Sequence, residues 1–156
     1  MALLDENNRT RVFRTHPDAK LPQRAHRTDA GMDFFFCPIE KSVVSIMPGQ
    51  SVLLGTGIKM EVPHDCMLQI MNKSGVASKK GLVTGACVVD EGYTGEIFVN
   101  LHNIGSVPQS VEPGQKVAQG VFVKIEKPIL WEIDHDNIYG THTDRGTGAL
   151  GSTGDR

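Results

Sequence analysis

The sequence predicts an all-β fold, a jelly-roll-like barrel or sandwich with one short helix, and three observations carry that prediction. Short β-branched or alternating apolar segments recur along the chain. Turn-forming residues separate them at short intervals. No long helical period intervenes to cover a parallel sheet, as βα units would require.

The strand candidates run in order from Ser42 to Ile46, Gln50 to Met60, Cys66 to Met71, Leu82 to Val89, Glu96 to Leu101, Val117 to Ile125 and Ile129 to Ile133. Between them, Pro48 and Gly49, Pro63 to Asp65, Glu91 and Gly92, Gly105 to Pro108, and Pro113 and Gly114 favour tight reversals. RTDAGMDFFF, from Arg27 to Phe36, places Asp29 and Asp33 ahead of a buried Phe-rich strand; these carboxylates suit a metal, a basic partner or a turn. The helix is expected over Ser74 to Lys80, with Ser74 as its N-cap and Lys73 just before it. That places a cation beside free N–H groups, although a plain basic turn reads equally well.

With 156 residues the chain is long enough for one domain with its own core. A formal net charge of -2 gives no broad basic field and argues against nucleic-acid binding. Cys37, Cys66 and Cys87 show no CxxC spacing, and an odd number cannot all pair; reduced thiols in a cytoplasmic protein are expected. MALLDENNRT lacks an apolar signal core and no apolar run is long enough to span a bilayer, so neither a membrane association nor a targeting signal is expected.

Four segments suggest chemistry. VVDEGYTGEIFVNLHN, from Val88 to Asn103, reads as a β-hairpin with Asp90 and Tyr93 at its bend. A carboxylate there can deprotonate a water, and a Tyr offers a flat surface to a sugar or base; ordinary turn formers would look the same. Gln119, inside the apolar PGQKVAQGVFV, must pair with backbone or point into a cleft. The tail RGTGALGSTGDR combines Arg145, whose planar fork matches phosphate, with glycines and the hydroxyls of Ser152 and Thr153. It reads as a polyphosphate cradle or as solvated peptide. DHDNIYGTHTD, from Asp134 to Asp144, is polar and aperiodic and reads as a connector; His135 and His142 within it offer a zinc alternative, without nearby Cys. His102, on an alternating strand, suits a pocket or core position.

Taken in order, DAGMDF, NKSGVASKKG, GACVVDEGYTGE, PGQKVAQ and RGTGALGSTG resemble the five motifs of the trimeric dUTP pyrophosphatase family, a similarity running from about Val12 to Gly154. The resemblance implies a jelly-roll domain over residues 1–134 and a connector and Gly-rich lid over 135–156. It also implies a homotrimer with exchanged C-terminal tails and active sites built from several subunits. The implied reaction is hydrolysis of dUTP to dUMP and pyrophosphate by water attack at the α-phosphate, with Mg²⁺ held mainly by the substrate phosphates. Its consequences would be less uracil in DNA and a supply of dUMP. By motif match, Asp90 activates the water and Tyr93 packs on the deoxyribose. The backbone from Gly85 to Asp90, with Cys87 and Val89, reads the base. Lys73, Ser74, Gly75, Gln119, Arg145, Ser152 and Thr153 hold phosphates, Leu150 and Gly151 cover the nucleotide, and Asp33 lies near the metal or its waters.

Lys73 stands where the pattern has Arg, Leu150 where it has an aromatic, and Cys87 where Gly is common. These departures keep open a triphosphatase acting on dCTP or a modified deoxypyrimidine, or a nucleotide-binding regulator on the same fold. The dCTP deaminases share the fold and resemble the stretch from Val89 to Asn103, but carry a Glu general base where this chain has Asn100.

Overall fold

The computed structural model describes residues 9–40 and 42–147. The chain divides into two compact units, the first ending at Glu126 and the second running over Lys127–Arg156. Every named element lies in the first. In order these are β1 (Val12–Arg14), β2 (Met32–Phe35), β3 (Val44–Ile46), β4 (Ser51–Gly55), β5 (Ile58–Met60), β6 (Cys66–Met71), α1 (Ser74–Lys80), β7 (Leu82–Thr84), β8 (Val88–Val89), β9 (Phe98–Asn103), β10 (Gln109–Val111) and β11 (Lys116–Lys124).

Two sheets form the body, ordered β2-β11-β6-β8 and β4-β9-β7, with the pairs β1-β5 and β10-β3 beside them. Every ladder is antiparallel. Alternation along β6 buries Cys66, Leu68 and Ile70, and along β9 it buries Val99, Leu101 and Asn103. All of these but Asn103 join Phe34, Leu54 and Val117 in one continuous core. The fold is the jelly-roll-like β architecture with a single short helix that the sequence predicts.

The expected strand from Gln50 to Met60 is broken at Thr56 and Gly57. The buried Thr56 hydroxyl donates to the Ile97 carbonyl at 2.6 Å, and Gly57 takes a positive φ of 67°. The chain therefore turns away from β9 and pairs next with β1. Ile129 to Ile133 is not a strand: Ile129, Leu130 and Trp131 lie exposed, with no described strand beside them to complete a ladder.

The hairpin expected around Asp90 is also different. Val88–Val89 pairs with β6, while Phe98–Asn103 pairs with β4 and β7. The true hairpin is β7 with β9, joined by residues 85–97, and β8 is the part of that connection that crosses to the other sheet. The segment thus forms a corner between sheets. Apolar character alone could not assign the two strands to different partners.

Candidate functional site

Three strands set the first half of the site. In the ladders β2-β11-β6, Asp33 lies opposite Gln119, and Gln119 opposite Met71, so motif residues far apart in sequence form one row. A register shift between Lys116 and Ala118 creates a bulge just upstream of that row. It accompanies a second lysine brought onto the Asp33 carboxylate.

Asp33 is only 5% exposed and has a cation at each oxygen. Lys73 Nζ donates to Oδ1 at 2.8 Å, and Lys116 Nζ lies 2.7 Å from Oδ2. The second contact is an ion pair poorly aligned as a hydrogen bond, since Oδ2 has no geometrically acceptable donor. Burial pushes the Asp33 carboxyl up, but Lys116 and Lys73 together outweigh it and hold the group below the usual carboxylate range. An ionised Asp33 is therefore committed to two ammonium groups, and direct coordination of a metal would have to displace one.

Gln119 Nε2 donates to the Asn72 carbonyl at 3.0 Å, which ties β11 to the start of the segment carrying Lys73, Ser74 and Gly75. Its carboxamide occupies the space where any side chain at Gly31 would sit. Asp29, Gly31, Asp33, Lys73 and Gln119 line a common cavity of about 460 Å³. The helix that follows begins with Lys73, not Ser74, at its N-cap, and no side chain caps it. Ser74 is instead the first helical residue, and its carbonyl accepts the Ser78 hydroxyl at 2.7 Å. Ser74 and Gly75 are both exposed.

The second half is the corner bearing Asp90. Tyr93 N–H donates to the Asp90 carbonyl at 3.2 Å, and Gly92 has φ 84°. These features make a type II turn, in which only a residue tolerant of positive φ fits the third place. The Tyr93 ring lies over Gly95, where a Cβ would strike it, and its hydroxyl donates to the Glu96 carbonyl at 2.9 Å. The ring is thus anchored at its far end while 47% of the residue remains exposed. Asp90 itself is exposed.

Glu96 braces this corner from below. Its Oε1 accepts Gly57 N–H at 2.9 Å and its Oε2 accepts the Thr15 hydroxyl at 3.0 Å. Upstream, Gly85 N–H donates to the Asn100 carbonyl at 3.0 Å and Ile70 N–H to the Cys87 carbonyl at 2.8 Å. Gly85 must lack a side chain because the Asn100 amide and the His102 ring stand against it. Cys87 is half-buried, and Val89 pairs with Leu68.

Asn100 and His102 bond to each other, Nε2 to Oδ1, at 2.7 Å. An amide occupies the position that would need a carboxylate for deamination. Glu91, Gly92 and Tyr93 line a cavity of about 630 Å³ with Arg11, Lys59 and His64. This cavity shares no lining residue with the one around Lys73.

Arg145 is exposed in the second unit, one residue before Gly146, whose N–H donates to the Thr143 carbonyl. Leu150, Gly151, Ser152 and Thr153 lie outside the described residues. Among the described residues, the one trio with metal-ligand spacing is His64, Asp65 and Glu91, so His135 and His142 form no such group. No disulfide joins Cys37, Cys66 and Cys87. No described helix is long and apolar enough to cross a membrane.

Sequence reasoning missed Lys116, Glu96 and Asn72. A cation three residues before Gln119 was a visible signal for Lys116. Nothing local distinguishes Glu96 or Asn72, because their partners are distant in sequence.

Comparison with known proteins shows the family. A family model described as dUTPase matches residues 17–154. The deoxyuridine 5'-triphosphate nucleotidohydrolase of Clostridium novyi (strain NT) is 39% identical over 145 residues, covering 92% of this chain and 96% of its own. The protein of the same name from Chlamydia trachomatis serovar D is 41% identical over 114 residues, covering 72% and 77%. A solved dUTPase of Staphylococcus bacteriophage 80alpha with dUpNHpp, in a variant form, superposes with a TM-score of 0.84 at 25% identity, covering 94% of this chain and 99% of its own. The family model over residues 17–154 and the relative 39% identical over 92% of this chain place it in one family: it belongs to the dUTPases.

Proposed function

We propose that this chain hydrolyses dUTP to dUMP and pyrophosphate, with Asp90 as the general base. The turn from Asp90 to Tyr93 supports the reading, because it sets an exposed carboxylate-bearing residue three positions before a ring held at its hydroxyl, on a corner braced by Glu96. Asp90 accepts a proton from water as the water oxygen bonds to the α-phosphorus. The bond from that phosphorus to the bridging oxygen breaks, and pyrophosphate leaves with the electron pair. Tyr93 packs on the deoxyribose and excludes a 2′-hydroxyl. The backbone from Gly85 to Asp90, with Cys87 and Val89, reads the pyrimidine edge.

Lys73, Ser74, Gly75 and Gln119 receive the phosphates, joined by Arg145, Ser152 and Thr153, while Leu150 and Gly151 cover the nucleotide. Residues 135–156 act as connector and lid on a domain of residues 1–134. With Lys73 and Lys116 on its two oxygens, Asp33 would meet a divalent cation only through water, and the triphosphate itself would hold that cation. Taken as Mg²⁺, it would neutralise charge on the phosphate oxygens. The separate cavities at Tyr93 and Lys73 support a site assembled from several copies, and we assign a homotrimer. Three cysteines without CxxC spacing suit a cytoplasmic setting.

The test is Asp90→Asn. Pyrophosphate release from dUTP with Mg²⁺ is expected to fall about 10²-fold or more, while calorimetry shows dUpNHpp still bound. Near-normal turnover would remove Asp90 from the role of base.

A further inference from the structure

We infer that Asn72 is a positioning residue that links base reading to phosphate binding and so contributes to selectivity for the base. The Asn72 side-chain oxygen accepts two bonds from one residue, the Thr84 N–H at 2.7 Å and the Thr84 hydroxyl at 3.0 Å. A backbone N–H can only donate, so the amide oxygen must face it and the orientation of the side chain is fixed. Thr84 is the last residue of β7 and directly precedes Gly85, where the base-reading backbone begins. The main-chain carbonyl of the same Asn72 accepts Gln119 Nε2 at 3.0 Å, and Lys73 follows it in the chain. One residue therefore holds the edge of the base-reading segment with its side chain and the phosphate-side glutamine with its backbone.

The geometry separates the two functions. Removing the side chain frees Thr84 but leaves the Gln119 bond intact, so the loss should fall on base recognition and not on chemistry. Aspartate in place of asparagine keeps an acceptor oxygen for both Thr84 donors. The inference rests on the reading of residues 85–90 as the base-binding backbone.

The experiment compares the unmodified chain with Asn72→Ala and Asn72→Asp, in steady-state hydrolysis of dUTP and dCTP and in amide hydrogen exchange at Thr84. For Asn72→Ala, Thr84 exchange is expected to accelerate. KM for dUTP should rise about 5-fold with kcat within about 2-fold, and the dUTP to dCTP ratio of kcat/KM should fall about 5- to 10-fold, the scale of one or two neutral hydrogen bonds. Asn72→Asp is expected to match the unmodified chain in Thr84 exchange and in the dUTP to dCTP ratio, while its charge beside Lys73 raises KM for both nucleotides alike. Faster Thr84 exchange in Asn72→Ala with unchanged KM and selectivity would overturn the inference, as would an Asp variant with the exchange and selectivity of Ala. An unmodified chain that fails to prefer dUTP would overturn the base-reading assignment itself, and that failure shows before any substitution is made.

Discussion

Gly31 and Gln119 share one volume: the Gln119 carboxamide lies where a side chain at position 31 would have to go, with Gly31 just before β2 and Gln119 inside β11. The absence of a Cβ in the first motif is thus what lets the fourth motif's glutamine reach Asn72. Gly31→Ala should push Gln119 aside and lower kcat/KM for dUTP about tenfold, the effect of misplacing one phosphate ligand. The melting temperature should shift little, since Gln119 ends in a flexible amide. Steady-state kinetics beside thermal unfolding checks both parts.

Asp33 makes a pH prediction. Its folded-state pKa is held below the unfolded value, so its contribution to stability is fully present above about pH 4 and is lost as pH falls through the lowered folded value. Asp33→Asn leaves Lys73 and Lys116 facing each other without a counter-charge. A loss of about 1–2 kcal/mol is expected at pH 7, less than for a fully buried pair because both lysines are partly exposed. Urea denaturation of the two proteins should show this gap narrowing below about pH 4. A gap that widens with acid would contradict the ion-pair account.

Tyr93 separates ring from hydroxyl. Tyr93→Ala removes the surface assigned to deoxyribose and should raise UTP hydrolysis relative to dUTP about tenfold or more. Tyr93→Phe keeps the ring over Gly95 but loses the bond to the Glu96 carbonyl, so discrimination should largely survive with a KM rise of about 2- to 5-fold. Competition between the two nucleotides in one reaction measures the ratio directly.

A chain ending at Asp144 should retain the fold of the first unit, because the named strands and the core lie before Lys127. Its turnover of dUTP is expected to fall about 10²-fold or more, through loss of Arg145 and the lid. Circular dichroism with pyrophosphate release tests the two statements; full activity would show that the tail is dispensable.

The longer strands were legible in the sequence. Cys66–Met71 matches its expected bounds and Phe98–Asn103 lies close to its own, because each alternates with one face to the core, and Lys116–Lys124 lies close to its bounds through its run of β-branched residues despite its bulge. The three-residue strands Val12–Arg14 and Gln109–Val111 were not legible, since their pairing is with residues far along the chain. Ile129 to Ile133 has strand-like composition without a described partner, and composition cannot supply one. At the site, residue types marked Asp90, Tyr93 and Gln119 as candidates. The clamp on Asp33 did not announce itself, because it arises from the bulge in β11 and the row shared by three strands.

The separation of the Tyr93 cavity from the Lys73 cavity has a genetic corollary under the proposed trimer. Two defective alleles, one crippled at Asp90 and the other at Lys73, would rescue each other in a mixed population of chains. Random co-assembly leaves some nucleotide clefts in which Asp90 comes from one allele and Lys73 from the other, so both contributed halves are unaltered. Complementation between such alleles would then report which neighbour lends which half of a cleft.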